Sequence, residues 1–382
     1  MKRLLVVIPD RISDILDKGE YPPRYYNPGD YFDDVHLMLM NDDRPDRAAL
    51  QPIVGRASVT LHNFAPASFP DTWFRVPRLR EWARDAVGMA RSIAPQMIRA
   101  YGHYTSTFAA AEMKRALGIP LLVSLHGNPD VDYYRGRLAT TWRQRIEGWM
   151  SRPYEVAALR AADMVIPVYS PIVPFLKSIG VTRYDVVYNV VGQGLTPRAE
   201  YPARTHWRAL CVGRQTADQK NPAAIIEALT GLDNVSLDLV GDGALHEGLQ
   251  QLAGRCGVGE RVRFHRTMDN ARVLQLMTQS DLFVYQSDNY EISKGTMEAS
   301  LAGLPVVLNQ RRGGLADEVR NGPYHVVDNL PDAYREGIRR VITDARFRAD
   351  LGARAAAYAT ARWHPDAMEA RVVAISRSLI AA

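Results

Sequence analysis

Three short stretches in the second half of the chain carry side chains suited to holding an anion beside a polyhydroxylated group. The first, GRQTADQKNP, contains Gly213, Arg214 and Lys220. The second is Gly241-Asp242-Gly243, and the third is Ser293-Lys294-Gly295-Thr296 followed by Glu298. Arginine offers a planar fork to phosphate oxygens, and lysine a compact mobile charge. The SKGT stretch has the composition of a helix start, where unpaired backbone N–H groups and the positive dipole end bind anions. Gly295 lets a ligand approach the backbone. Glu298 in the first turn, and Glu291 just ahead of the helix, could accept hydrogen bonds from sugar hydroxyls. Phosphate and sugar recognised side by side describe a nucleotide-sugar site. The competing reading is a helix with favourable N-terminal charges, two ordinary surface cations and a plain glycine turn.

These residues need strand ends to hold them. Apolar runs at Ala209–Val212, Leu237–Val240, Val262–Phe264 and Leu282–Tyr285 read as buried strands alternating with helices. In the first half, Leu4–Ile8, Val35–Met40, Ser58–Leu61, Leu121–Leu125, Met164–Val168 and Val186–Asn189 read the same way. The stretch after Ile8 reads as a long loop without G-x-G-x-x-G. Residues 73–100 read as a basic, mostly helical segment interrupted by Pro77 and Pro95. This alternation predicts an α/β protein with two Rossmann-like, doubly wound parallel-sheet domains facing a central cleft. The expected division is 1–191, a Gly/Pro/Thr-rich linker at 192–205, 206–362, and a C-terminal helix at 363–382 packing back on the first domain. Ligands of such sheets bind beyond the carboxyl ends of the strands. His126, just past Leu125, is therefore placed for chemistry, with His103, Asn128 and Asp130 as candidate acceptor contacts. A histidine bonding to nearby backbone is the alternative.

Composition narrows the class. The chain is 47% hydrophobic and 23% charged, with a mean hydropathy of −0.22. No apolar run approaches the roughly 20 residues of a membrane span. Cys211 and Cys256 offer neither metal spacing nor a disulfide framework, so a reducing cytoplasm is expected and no metal site. Residues 51–195 carry 17 Lys and Arg against 10 Asp and Glu, which suits an anionic acceptor or surface. The Trp-bearing basic segments 73–84 and 135–152 allow an acceptor at the inner membrane face and peripheral contact there, the competing reading of 73–84 being a solvated helix packed on a sheet. A nucleic-acid signature is absent.

The stretches CVGRQTADQKNP, LVGDGALHEGLQQLAGRCGVGERVRFHRTMDN, SDLFVYQSDNYEISKGTMEASLAGLPVVL and GIPLLVSLHG together resemble a retaining glycosyltransferase of the GT-B fold, family 4. The resemblance spans most of the chain and is thin before residue 95. It implies a nucleotide-diphosphate sugar donor on the second domain and a glycan, lipid-linked or small-molecule acceptor on the first. Arg214 and Lys220 then fall on the pair that neutralises the diphosphate, Glu298 on the ribose-binding carboxylate, and the main chain near Met268 on the base contact. His126 falls on the histidine near the transferred sugar. No metal or other cofactor is implied, and the D-x-D spelled by Asp130 and Asp132 lacks its usual setting. Two departures stand out. The paired glutamates enclose six residues rather than seven, so Tyr290 takes the aligned position and Glu291 comes one place late. The usual Gly-Gly of the first loop is replaced by Gly19 or Gly29. The reaction implied is sugar transfer to a hydroxyl with retained configuration, as in glycan or polysaccharide synthesis. Alternatives are an NDP-sugar epimerase or hydrolase on the same fold, or a non-catalytic sugar-nucleotide binder.

Overall fold

A computed structural model describes residues 1–17, 19, 21–131, 141–217, 219–311 and 317–381. The chain forms two compact units. One comprises Met1–Asp17, Tyr21–Tyr188 and the C-terminal helix, and the other is Asn189–Pro365 with Gly19. Each is built on a six-stranded sheet in which every pairing is parallel.

In the N-terminal unit the strands are β1 Arg3–Ile8, β2 Asp34–Leu39, β3 Ser58–Asn63, β4 Met97–Tyr101, β5 Leu121–Leu125 and β6 Met164–Pro167, in the order β3-β2-β1-β4-β5-β6. The C-terminal unit has β7 Trp207–Val212, β8 Val235–Val240, β9 Val262–His265, β10 Leu282–Tyr285, β11 Val306–Asn309 and β12 His325–Val327, in the order β12-β11-β10-β7-β8-β9. Both sheets reverse winding between their first and fourth strands, β1/β4 and β7/β10. A crevice forms at such a switch because successive connections leave to opposite faces. The strands at these junctions are apolar throughout much of their length because both their faces are covered. Leu282, Phe283, Val284 and Tyr285 of β10 are all buried, each apolar side chain stabilising by about 1.5–3 kcal/mol.

Several sequence expectations need correction. Pro77 does not interrupt a helix but sits in the first turn of helix Val76–Ile93, where its missing N–H costs nothing. That helix ends at Ala94, in the left-handed region, and Met97–Tyr101 forms the central strand β4 rather than more helix. Arg99 lies buried in that strand, its Nε donating to Ser124 Oγ at 3.1 Å and its guanidinium 5.0 Å from the Tyr101 ring. A charge in mid-strand hid the apolar run. Val186–Asn189 is not a strand. The chain there runs beside β6, bonded through Asp185 N–H to Val165 O and Val187 N–H to Pro167 O, with one bridge at Tyr184. The presumed long loop after Ile8 contains a short helix, Ile12–Leu16, and helix Arg47–Val54 precedes β3. The last helix, Pro365–Ala381, holds its unit through Glu369, which accepts from Gly29 N–H at 3.2 Å and pairs with Arg24. Residues 198–204 are tied to the C-terminal unit by Arg198 N–H on Ala302 O and by the Arg204–Asp281 ion pair.

Candidate functional site

The loops following β7, β8 and β10 meet at one edge of the C-terminal sheet. Gln215, fully buried, joins the first two. Its N–H donates to Asp242 O at 3.0 Å, its side-chain Nε2 to Gly241 O at 2.9 Å, and its Oε1 faces His246 Nδ1 at 3.0 Å. Gly241 sits at φ +137°, and a Cβ there would lie 2.0 Å from Gly213 O, so the β7 and β8 loops touch main chain to main chain only because residue 241 is glycine. The β7 loop folds back on itself through paired bonds between Thr216 and Lys220. It is held to the β10 loop by Asp288 N–H on Gln219 O at 2.8 Å and by Asn221 N–H on the Gln286 side chain. Arg214 is exposed and Lys220 half-buried on this edge. Asp242 turns to Arg266, which reaches both its carboxylate oxygens at 3.1 and 2.9 Å. Arg266 and the Gly243 N–H hold the acid below the usual carboxylate range. Met268 is half-buried in the loop after β9.

Helix Lys294–Leu301 opens onto the same edge. Ser293 is its N-cap, its Oγ accepting the Thr296 N–H at 3.1 Å and meeting Thr296 Oγ1 at 2.8 Å. The amides of Lys294 and Gly295 precede this capped position, where a helix N-terminus receives an anion. A Cβ at Gly295 would lie 3.4 Å from Val212 O, so the helix tip rests on the end of β7, one residue before Gly213-Arg214. The structure thus brings Arg214, Lys220, Lys294 and the helix tip to a single edge at the β7/β10 switch. Glu298 is not in the first turn but is the fifth helical residue, buried, with Oε1 accepting from Asn270 Nδ2 at 2.9 Å. Burial pushes its carboxyl up to about 7, against the Asn270 hydrogen bond, the Lys294 charge and the Gly192 N–H. Of the two candidate glycines from the first loop, Gly19 lies here. At φ +60° it is so close to Asp269 that a Cβ would stand 2.7 Å from its Cα, and its carbonyl takes the Asn270 N–H. Gly29 sits instead on the C-terminal helix.

Tyr290 and Glu291 are both half-buried, and the Glu291 carboxylate accepts from Asn289 Nδ2 at 3.0 Å. Their loop is gripped by Arg311, whose Nη1 donates to Asn289 O at 2.6 Å and Glu291 O at 2.8 Å.

In the N-terminal unit, His126 lies just past β5 with its ring 5.5 Å from that of Tyr101. His103, after β4, is buried against Tyr104, and burial drives its imidazole down to about 3. Asn128 and Asp130 build their own loop. Asn128 donates to Pro171 O and accepts the Asp130 N–H, while Asp130 pairs with Arg152 at 3.3 Å. Asp132 lies outside the described residues.

Two sequence-family models match the chain. "Glycosyl transferases group 1" covers residues 198–358, and "Glycosyltransferase Family 4" covers residues 33–192. The chain belongs to the group 1 glycosyltransferases. Among curated relatives of this family member, the lipopolysaccharide core biosynthesis glycosyltransferase LpsE of Rhizobium meliloti (strain 1021) is 30% identical over 139 residues, 36% of this chain and 40% of that protein. The D-inositol 3-phosphate glycosyltransferase of Streptomyces griseus is 33% identical over 115 residues, 30% of this chain and 24% of that one. The matches therefore span two fifths or less of these relatives' own length. Among solved structures, Anabaena HepE in complex with UDP and glucose aligns over 99% of this chain and 100% of its own, with a TM-score of 0.69 at 17% identity. WaaG, a glycosyltransferase involved in lipopolysaccharide biosynthesis, aligns over 98% and 99%, with a TM-score of 0.60 at 15% identity. Both likenesses establish the GT-B fold.

For this group 1 member, sequence reasoning missed Gln215 and Arg311. Gln215 carries no charge to mark it, and Arg311 stands in a QRR run that reads as surface. An arginine two residues past the end of β11 was the available signal. Among the described residues, no group of three or more His, Cys, Asp or Glu side chains gathers to hold a metal ion.

Proposed function

We propose that the protein transfers a sugar, with retained anomeric configuration and without a metal, from a nucleotide-diphosphate sugar to an acceptor hydroxyl in glycan or lipopolysaccharide-type synthesis. The observation that carries the reading is the convergence of Arg214, Lys220 and the Lys294–Gly295 helix tip at the β7/β10 switch, beside the buried carboxylate of Glu298. In the step proposed, the bond from the anomeric carbon to the diphosphate oxygen breaks and that to the acceptor oxygen forms. The acceptor proton moves to the departing diphosphate. The negative charge gathering on that group is what fixed cations and oriented amides stabilise, and preorganised sites gain most from such contacts. Glu298 holds the ribose, Gly241 and Met268 line the nucleotide, and Tyr290 or Glu291 meets the donor sugar. His126 steadies the transferred sugar, with His103, Asn128 and Asp130 shaping the acceptor side. Family membership supports the reaction class, and the UDP-glucose complex of HepE puts uridine diphosphate sugars first among donors to test.

The experiment is a thermal-shift panel of nucleotide sugars, followed by turnover of the best binder with and without acceptor in the presence of EDTA. Acceptor-dependent release of nucleoside diphosphate, with a product of unchanged anomeric configuration by NMR, supports the proposal. An altered free sugar formed equally fast without acceptor would replace it with an epimerase or hydrolase.

A further inference from the structure

Helix Trp142–Ala161 carries three large apolar side chains on the side away from its core. Trp142, Ile146 and Trp149 are 71%, 45% and 78% exposed. Their spacing of four and three residues sets them in one stripe along the helix, continued by exposed Pro153. The opposite face is filled by Tyr154 and Ala158, packed with Leu79 and Phe108. The stripe is therefore surplus to folding. A fourth exposed aromatic, Trp73 at 52%, precedes Phe74, whose ring packs 5.6 Å from that of Tyr154 on the same helix.

Charge decides what covers such a face. The helix holds four arginines (143, 145, 152 and 160) against Glu147 and Glu155, and helix Val76–Ile93 likewise has four against two acids. Glu155 faces inward, where burial pushes its carboxyl up to about 8, so it subtracts little charge at neutral pH. Tryptophan favours the boundary between headgroups and acyl chains, and arginine beside it meets lipid phosphates. No helix among the described residues is long and apolar enough to cross a membrane, so insertion is limited to the interface.

We propose that the Trp142–Ile146–Trp149 face docks the protein on a bilayer of anionic lipid, with the helix lying in the headgroup plane. The test is flotation of the full chain with phosphatidylcholine vesicles, with and without phosphatidylglycerol, at low ionic strength. Wild type should float with the anionic vesicles alone. The double variant Trp142→Ser, Trp149→Ser should lose at least about tenfold in bound fraction, because affinity follows the apolar area inserted. Arg145→Gln should lose about fivefold. Since these side chains are exposed, all variants should keep the wild-type thermal midpoint and the nucleotide-sugar thermal shift, which separates this docking from the donor-site reading. Wild type failing to float, or the double variant floating equally well, would overturn the proposal. So would a concentration-dependent dimer abolished by the double variant without any flotation, which would assign the face to a second copy.

Discussion

Glu298 offers a measurement in which folding and binding pull in opposite directions. Its carboxyl stands at about 7 rather than its ordinary 4.5 because burial penalises the charged form more than Asn270, Lys294 and Gly192 relieve it. Between these two values the folded chain holds a proton that the unfolded chain has released. Stability must therefore fall as pH rises through that window and level off above it. A displacement of about 2.5 pH units at about 1.4 kcal/mol each amounts to about 3.5 kcal/mol. Glu298→Gln keeps an oxygen to accept from Asn270 but cannot ionise. Relative to wild type, the variant should gain about 3.5 kcal/mol between pH 4.5 and 8, read as the difference between urea transitions of the C-terminal unit. Binding should show the reverse. Wild-type affinity for a nucleotide-diphosphate sugar, whose phosphates stay fully ionised here, should climb between pH 6 and 8 as the carboxylate becomes available to ribose hydroxyls, while the variant binds weakly and without that climb. A stability difference that stays constant across the window would refute the assignment of the proton to Glu298.

Arg214→Ala and Lys220→Ala should each lower turnover by roughly 10²–10³ with an unchanged thermal midpoint, by steady-state kinetics on the donor found in the thermal-shift panel. Arg311→Met strands the carbonyls of Asn289 and Glu291, which should cost about 1–3 kcal/mol in urea denaturation and raise KM for the donor more than it lowers kcat, with partial rescue by Arg311→Lys. Gly241→Ala meets Gly213 O at 2.0 Å with φ at +137° and should destabilise the C-terminal unit by about 3 kcal/mol or more in the same assay. Gly248→Ala, in a helix with nothing within 4 Å, should instead stabilise by about 0.5–1 kcal/mol.

The architecture was legible wherever strands were uninterrupted apolar runs, as at Leu4–Ile8 and Leu282–Tyr285. It was illegible where burial depended on partners far along the chain. β4 holds a buried arginine supported by Ser124 and Tyr101, and β12 is three half-buried residues too short to carry a period. The edge of the candidate site could be read because phosphate-type chemistry leaves charged residues and glycines directly after strands. What organises that edge could not. Gln215 works through carbonyls and a histidine some 30 residues away, and Glu298 gains its unusual proton affinity from the depth of its burial, a property of the packed unit rather than of the letters around it.

The grip of Arg311 on the main chain either side of Tyr290 has a practical consequence for engineering. Because the clamp reads carbonyls, its two hydrogen bonds survive an exchange of the side chains at 290 and 291, although a change at 291 gives up the carboxylate bond to Asn289. A library randomised at those two positions should therefore stay folded while sampling new sugar preferences. The same triplet transplanted into a homologue lacking the arginine would arrive without its splint.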